Sequence, residues 1–385
     1  MIAASEAQCL LRNSAPVLRQ AIHVWSTPQC TLLTFDHLRG HWAAPNAQAT
    51  VRGLYGNTPA RWVWSLKHAL RQLRETRLGA LTAVSADSDI PLPSDAVLIP
   101  RPVNHGIVVA SAQSNRVVKV SHGTLATKRL RNEFEAYRAS KSSKNQLSVP
   151  AVLEFNELGN GTSWLCEEFA WNTHPLLAAR ILRWGYWRRF VRDTIASDLF
   201  SYYRSAGCVP LTVPDWFHSL KMRLQRHPAR KVLRRVLMLA EAAAEEEAQD
   251  SDVVLTSRIH GDFFPEHIHR SRHHWKLIDW GNSCEAPIIL DWFADLLLFS
   301  LPPRYELAQR ALARWLRGDA STAPRTSSHT MRAFYDLQEE HLGLRTPARA
   351  WRYQLLAGIV EMHCSRFDVL GFNPGHEIGT LHRLV

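Results

Sequence analysis

Short runs of β-branched and apolar residues, separated by turn residues, occupy the chain between residues 95 and 170. They predict strands at Ala96–Ile99, Gly106–Ala112 and Arg116–Ser121. Leu125–Ser140 then places apolar residues at helical spacing, which predicts a helix. Two more strands are predicted around the glycine-containing turn at residues 158–161. They are Val152–Asn156 and Thr162–Glu168. The predicted order is β-β-β-α-β-β.

The flanking regions carry different patterns. Gln29–Phe35 is typical of a strand, and Thr58-Pro59 marks the start of a helix that runs to Leu78. The polar, proline-containing stretch Ala86–Ser94 is typical of a linker. After residue 170 most segments show helical spacing: 178–206, 215–249, 289–300, 304–317, 328–342 and 347–365. A small β-rich region before a large helical one indicates the α+β class.

Amino-acid composition indicates which charge the ligand should have and in which cellular compartment the protein is expected. The chain has 46 Lys and Arg against 35 Asp and Glu, a net charge of +11, which disfavours a polycationic ligand and favours an anionic one. Six cysteines are spread singly, so neither disulfides nor a cysteine metal site is expected. The first residues lack the pattern of a secretory signal, and no apolar run is long enough to span a membrane. A cytoplasmic location is predicted.

The segment Arg258–Gly281 holds the most informative chemistry. His260-Gly261-Asp262 lies in a predicted loop, and Asp279 follows a strand-like run seventeen residues later. Two carboxylates in this arrangement suit phosphoryl transfer. One can orient or deprotonate an attacking hydroxyl group, and the other can hold the divalent ion that neutralises the phosphates.

This segment resembles the catalytic region of the aminoglycoside phosphotransferase and choline kinase family. His260–His267 is similar to the family's HGDxxPxN loop, and Leu277–Trp280 resembles its metal-binding element. The resemblance covers about residues 95–365. It implies Asp262 as the catalytic base, with His260 supporting the loop backbone, and it implies Asp279 as a metal ligand. Asp291, in the segment Asp291-Trp292-Phe293, would be mainly structural.

The resemblance also implies the architecture. We expect a two-lobed protein kinase-like fold with a small antiparallel β lobe and a large helical lobe, preceded by an N-terminal α/β extension. Residues 1–90 would be the extension, to which no role is assigned. Residues 91–170 would form the nucleotide-binding lobe, and residues 171–385 the helical lobe with the catalytic loop and the acceptor site.

A kinase-like nucleotide lobe requires a lysine for the phosphates and a helix glutamate that holds it. Lys119, among β-branched residues on the third predicted strand, is the candidate lysine. Helix geometry selects its partner: at about 100° per residue, Glu133 lies roughly 60° from the centre of the apolar stripe and Glu135 roughly 140°. Glu133 can therefore reach inward, whereas Glu135 points to solvent.

Two further stretches are candidates for nucleotide contacts. The turn between the first two strands contains the single glycine Gly106, which permits but does not require a close approach to phosphate. Glu168 and Phe169, just after the fifth strand, occupy the place of the hinge whose backbone would meet the adenine ring. ATP is the expected nucleotide.

One position departs from the family pattern. His267 stands where the family's loop has a metal-binding asparagine. Imidazole is a poor ligand for Mg²⁺ and suits Mn²⁺ better. Three alternatives follow: His267 is an unusual second ligand beside Asp279, Asp279 holds the metal nearly alone, or the protein is a catalytically degenerate module that binds a nucleotide or a partner. For the nearby His269, His273 and His274, a solvated loop is favoured over a zinc site.

The preferred interpretation is a small-molecule kinase that transfers the γ-phosphate of ATP, with Mg²⁺ or Mn²⁺, to a hydroxyl group. The basic chain argues against a polycationic acceptor, so a sugar or glycan precursor is expected. Lys221–Arg235 contains seven Lys and Arg. A solvated helix face is the default, and docking on a phosphorylated glycan or on an acidic membrane surface is the alternative. No nucleic-acid-binding motif is present, so no nucleic-acid partner is expected. Nothing in the sequence fixes the oligomeric state.

Overall fold

A computed structural model of the chain describes sixteen segments: residues 4–21, 24–25, 29–36, 41–55, 85–101, 106–142, 149–159, 161–170, 195–249, 252–263, 267–270, 275–293, 314, 317–319, 325–344 and 351–370. The chain divides into two compact units. The first takes in Met1–Arg138, Ser148–Arg183 and Pro265–Gly281. The second takes in Ala139–Leu147, Trp184–Phe264 and Asn282–Val385.

The helices and strands follow one another in an order that changes character after residue 170. Up to that point they are α1 (Ala4–Gln20), β1 (Gln29–Asp36), β2 (His41–Ala43), α2 (Gln48–Tyr55), β3 (Ser85–Pro93), β4 (Val97–Arg101), β5 (Gly106–Ser111), β6 (Arg116–His122), α3 (Thr124–Ser142), β7 (Val152–Leu158) and β8 (Thr162–Glu168). Beyond it they are α4 (Ala196–Ser205), β9 (Val209–Thr212), α5 (Val213–Leu224), α6 (Arg230–Glu247), β10 (Val253–Ile259), β11 (Ile268–Arg270), β12 (Trp275–Leu277), a 3₁₀ turn (Trp280–Asn282), β13 (Cys284–Pro287), α7 (Ile289–Phe293), α8 (Arg325–Leu342) and α9 (Trp351–Leu370).

The first unit is built on an eight-stranded sheet in the order β3-β1-β2-β4-β5-β6-β8-β7. Every pairing between these strands is antiparallel. The order β4-β5-β6-α3-β7-β8 along the chain confirms the predicted β-β-β-α-β-β succession, and the fifth strand of that succession has the predicted bounds Thr162–Glu168. The α+β class is likewise confirmed.

The stretch Ala86–Ser94, predicted to be a linker, is instead almost wholly the edge strand β3. It pairs with β1, with Leu92 opposite Cys30 and Pro93 opposite Gln29. An edge strand tolerates proline because one row of its backbone groups is not needed for pairing. The linker prediction was therefore wrong: Leu92 is fully buried, although its neighbours are polar or proline. The helix predicted from Thr58 to Leu78 lies outside the described residues.

One face of this sheet carries the main core of the first unit. Val118 and Val120 of β6 point to it, and so does Trp164 of β8, because alternate residues of a strand share a face. Leu18 of α1 and Trp42 of β2 belong to the same buried cluster. Residues before position 90 thus share both sheet and core with the predicted nucleotide-binding lobe. The division expected at residue 90 has no counterpart in the two compact units.

The second unit combines helices with the three-stranded antiparallel sheet β13-β10-β9. Of these strands, only the end of β10 lies within the segment Arg258–Gly281, and the sequence analysis predicted neither β9 nor β13. The helix predicted over 215–249 is two helices, α5 and α6, interrupted at residues 225–229. Pro228 disfavours a helical conformation at the residue before it, His227, which explains the break. None of the helices that the structure describes is both long and apolar enough to cross a membrane.

Candidate active site

Lys119 lies in the middle of β6, on the sheet face opposite Val118 and Val120. Its Nζ donates to Glu133 Oε1 at 2.7 Å and lies 2.8 Å from Glu167 Oε1. The lysine side chain is 12% exposed, and both glutamates are 4% exposed. Burial by itself lowers the pKa of Lys119, but the carboxylates outweigh it and raise the pKa above its usual value. Lys119 is therefore held as a cation.

The position of Glu133 follows from the helix that carries it. Glu133 is buried on the inner face of α3, and Glu135 is exposed, in the arrangement that the helix geometry predicts. Tyr137, one turn further along, donates from its hydroxyl group to Glu133 Oε1 at 2.8 Å. The tyrosine therefore fixes the carboxylate that in turn fixes Lys119.

Glu167 is a site residue that the sequence analysis did not single out. Burial raises its pKa to about 7, although Lys119 opposes that rise. The register of the sheet brings it to Lys119, because Val117 pairs with Glu167 and Lys119 with Leu165. Strand alternation offered the missing signal: Trp164 and Cys166 belong to the core on one face, so Glu167 had to point to the other.

Asp279 lies two residues after β12 and adopts a left-handed backbone conformation, with φ 64°. Such a conformation is unusual outside glycine and costs of the order of 1–3 kcal/mol. Arg101 Nη2 donates to its Oδ2 at 3.3 Å, and His267 Nε2 lies 3.7 Å from the same oxygen. Burial raises the pKa of Asp279, but Arg101, His267 and Lys119 together hold it well below its usual range. The carboxylate is thus ionised.

Asp279 and His267 are the described residues that fit a divalent ion. Two metal bonds of about 2.1 Å each can join donor atoms up to about 4.2 Å apart, so the 3.7 Å separation permits both to hold one ion. Among the described residues no group of three or more His, Cys, Asp or Glu side chains could do so. Mg²⁺ in proteins commonly takes one or two carboxylates and fills its remaining positions with phosphate oxygens and water. A metal-nucleotide pair therefore suits this donor set better than a resident metal does.

A pocket of the first unit gathers these side chains. Lys119, Glu133 and Asp279 line it, together with the cations Arg101 and Arg129. Arg101 is the last residue of β4, and the sequence analysis did not single it out. The loop 102–105 between β4 and β5 lies outside the described residues. Three cations around two carboxylates suit a polyanionic ligand.

The structure explains Gly106 without a ligand. A Cβ atom on this residue would lie 1.9 Å from the carbonyl oxygen of Val120 on the neighbouring strand. Any side chain is therefore excluded by strand packing alone. The predicted role of Gly106 in phosphate binding stays a prediction.

Glu168 and Phe169, the predicted hinge residues, already use their backbone N–H groups inside the protein. Glu168 donates to the carbonyl oxygen of Ala151 at 2.8 Å, and Phe169 donates to that of Asn115 at 3.2 Å. The Glu168 side chain forms an ion pair with Lys276, and the Phe169 ring is buried. An adenine ring at this hinge would have to use other backbone groups of the segment.

The β11–β12 hairpin contributes a second contact to the hinge. His269 is buried, and its Nδ1 lies 2.9 Å from the carbonyl oxygen of Ala170. Burial lowers the pKa of His269 to about 4, so the ring is neutral and donates this hydrogen bond. The expected solvated loop is therefore wrong for His269, whereas His273 and His274 lie outside the described residues.

In the second unit, the Asp291 carboxylate accepts hydrogen bonds from the backbone of the loop His260-Gly261-Asp262. The backbone N–H groups of His260 and Gly261 each donate to one oxygen of this carboxylate at 2.8 Å. Tyr203 adds a hydroxyl donor at 2.8 Å. Burial raises the pKa of Asp291 to about 6, although these donors oppose the rise. The contacts agree with the expected structural role of Asp291.

His260 and Gly261 shape the backbone that presents Asp262. His260 is fully buried, and its Nδ1 accepts from the backbone N–H of Asp262 at 3.2 Å. Gly261 has φ 78°, and a Cβ atom there would lie 2.3 Å from the carbonyl oxygen of Asn282. The ring of His260 thus supports the loop, as expected, and only glycine fits the next position.

Asn282 contacts the Asp262 side chain, and the sequence analysis did not identify it as a site residue. Its Nδ2 donates to Asp262 Oδ2 at 3.3 Å. Its Oδ1 is buried and finds no hydrogen-bond partner among the described residues. No local sequence pattern predicts this contact. Asn282 ends the 3₁₀ turn Trp280–Asn282, and the tertiary structure brings it to Asp262.

Comparison with known proteins adds a family assignment. A model described as the phosphotransferase enzyme family matches residues 107–325, more than half of the 385-residue chain. A solved structure of aminoglycoside phosphotransferase APH(4)-Ia is 14% identical, with a TM-score of 0.39, over 75% of this chain and 94% of that one. The GDP complex of aminoglycoside 2'-phosphotransferase-IIIa is 13% identical, with a TM-score of 0.35, over 76% and 98%. Comparison with curated proteins finds no significant match.

Proposed function

The chain belongs to the phosphotransferase enzyme family, and on this basis we propose that it transfers the γ-phosphate of ATP to a hydroxyl group of a small molecule. The membership confirms the resemblance drawn from the motifs around Asp262 and Asp279. The observation that carries the proposal is the buried Lys119–Glu133 pair, which lines one pocket with the ionised Asp279.

In the first unit, the proposed roles follow from charge. Lys119, held by Glu133, would contact the phosphates of the nucleotide. Asp279 would hold the divalent ion, with His267 as the second protein ligand. That ion neutralises charge on the phosphates. The hinge at Glu168 and Phe169 and the turn at Gly106 remain predicted nucleotide contacts.

In the second unit, Asp262 would orient the acceptor hydroxyl group and receive its proton. The loop that carries Asp262 is fixed from two sides, by the His260 ring and by the Asp291 carboxylate. A rigid presentation of this kind is what a group acting on a bound hydroxyl requires. His260 would be a positioning residue of the loop.

For the acceptor we propose a neutral or anionic hydroxyl compound, with a sugar or glycan precursor as the preferred class. The support is the net charge of +11, which disfavours accumulation of a polycation at the protein surface. A panel of sugars, phosphosugars and polycationic amino sugars, each offered with labelled ATP, would rank these classes. Efficient phosphorylation of the polycations alone would contradict this choice. The cytoplasmic location and the absence of a nucleic-acid partner stay predictions.

The test of the reaction is Asp262→Asn. Transfer of label from ATP should fall by about 10²–10⁴-fold, because a positioned general base contributes rate acceleration of that size. ADP affinity, measured by calorimetry, should stay close to that of the wild type, since Asp262 is assigned to the acceptor. The matched control is Asp336→Asn, which changes an exposed aspartate of the same unit and should leave both quantities unaltered.

Equal transfer by wild type and Asp262→Asn would exclude this role for Asp262. A wild type that binds ADP but transfers to no acceptor with either Mg²⁺ or Mn²⁺ would favour the alternative of a degenerate nucleotide-binding module. A His267→Asn variant that then gained activity would locate the defect at the metal position.

A further inference from the structure

We propose that Arg101 is a phosphate-binding residue of the nucleotide site, and that it exchanges the Asp279 carboxylate for phosphate oxygens when a divalent ion takes that carboxylate. The inference rests on the proposed function and assigns a further residue to the same site.

The position of Arg101 allows contact with a ligand. It ends β4 and lines the same pocket as Lys119 and Asp279. Its side chain is 39% exposed, whereas that of Lys119 is 12% exposed. Of these two cations, Arg101 is therefore the one that a ligand can reach more easily.

Because two carboxyl groups surround Lys119, binding of a polyanionic phosphate group would require a second cation in the pocket. Two buried carboxylates, Glu133 and Glu167, lie within 2.8 Å of its Nζ. Much of its positive charge is therefore already balanced before any phosphate arrives. Arg101 has a different counterion, Asp279, at 3.3 Å.

That counterion is also the proposed metal ligand. Arg101 Nη2 and His267 Nε2 both lie beside the same oxygen, Oδ2 of Asp279. A divalent ion on this oxygen would repel the guanidinium and weaken its hydrogen bond to Asp279. The phosphates that accompany the metal offer Arg101 a replacement, and its planar fork of N–H donors matches phosphate oxygens.

A purely stabilising role explains the pair less well. Ion pairs with this degree of exposure contribute little to folding free energy. Asp279 also adopts a strained backbone conformation at this point, which places its carboxylate beside three basic side chains. Ligand binding therefore explains the Arg101–Asp279 pair better than a contribution to folding stability does.

The experiment compares Arg101→Gln and Arg101→Lys with wild type by calorimetry, using ADP with Mg²⁺ and, separately, adenosine. Arg101→Gln should bind Mg·ADP about tenfold more weakly, since one charge-assisted contact is lost. Arg101→Lys should recover part of that loss. Adenosine affinity should not change, because adenosine has no phosphate. Arg131→Gln, which removes an exposed, ion-paired arginine of the same unit, is the control and should match wild type.

The exchange itself is tested without metal. In EDTA, Asp279→Asn should bind ADP at least as tightly as wild type, and adding Arg101→Gln should weaken it about tenfold. Unchanged Mg·ADP affinity in Arg101→Gln, or an equal loss for ADP and adenosine, would overturn the role of Arg101. A wild type that binds neither nucleotide nor nucleoside would overturn the proposed function as well, which separates the two failures.

Discussion

At the scale of single residues, Asp262, the proposed base, accepts a hydrogen bond from an amide twenty residues further along the chain. Asn282 donates to Asp262 Oδ2 and so restricts the carboxylate to one orientation. We infer that Asn282 positions Asp262 for an acceptor hydroxyl group.

Asn282→Ala should therefore lower kcat about tenfold and leave ADP affinity unchanged, because only the orientation of Asp262 is lost. Asn282→Asp should in addition move the acid limb of the kcat profile to higher pH. A second carboxylate beside Asp262 raises its pKa, so the base is protonated sooner as pH falls. Steady-state kinetics across pH measures both effects. Asn156→Ala, at an exposed position, is the control; a profile of Asn282→Asp that matches wild type would exclude the positioning role.

At the scale of elements, the charged side chains of helix α6 are placed unfavourably for the helix dipole, with basic residues near its N-terminus and acidic residues in its last turn. Its exposed N-terminal face has Arg230, Lys231, Arg234 and Arg235, and its last turn has only acidic charged residues. A helix favours the opposite arrangement, by about 0.3–1 kcal/mol per charge. None of these four basic side chains forms an ion pair with a described residue. Their arrangement therefore costs helix stability, which favours the membrane-surface alternative over a solvated face.

We expect the protein to bind phosphatidylserine-containing vesicles in cosedimentation, with loss at high salt. Met238, one helical turn after Arg234 and Arg235 on α6, is exposed and could contact the lipid headgroup region. Changing the four basic residues to Gln should weaken binding a hundredfold or more, at about 1 kcal/mol per charge.

The matched control for this experiment removes four exposed arginines elsewhere: Arg12, Arg19, Arg204 and Arg332. Equal loss in both variants would show that net charge alone draws the protein to the vesicles. Absence of binding by wild type would leave α6 a solvated face.

At the scale of the whole molecule, residues before position 90 share the sheet and the core of the first unit with the strands that follow. Asp95 links them to those strands: Thr50 Oγ1 of α2 donates to Asp95 Oδ2 at 2.6 Å, and Ser111 Oγ of β5 donates to Oδ1 at 2.6 Å. Thr50 also accepts from the backbone N–H of Ala112 at 2.9 Å. All three side chains are buried.

Thr50→Val should lower the free energy of unfolding by about 1–3 kcal/mol, because it leaves a buried carboxylate oxygen and a backbone N–H short of a partner. Urea unfolding measures the change. Thr124→Val, at an exposed threonine of the same unit, should have little effect. If the two substitutions had equal effects, the buried link would not contribute to the stability of the unit.

Local patterns in the sequence determined the elements and much of the chemistry. Alternation and helical spacing are properties of a few neighbouring residues, so β5, β6, α3 and β8 could be predicted within a few residues of their observed ends. The same spacing selected Glu133 over Glu135. The two carboxylate motifs identified the family, because their residues are close together along the chain.

Only the tertiary structure decided what depends on pairing between distant segments. The sequence of β3 is typical of a linker, and only its pairing with β1 makes it an edge strand. The sequence likewise suggests that residues before position 90 form a separate region, whereas in the structure they share the core of the sheet. Arg101 meets Asp279, and Asn282 meets Asp262, across long stretches of sequence. Such contacts arise from strand order and loop closure, which periodicity does not encode.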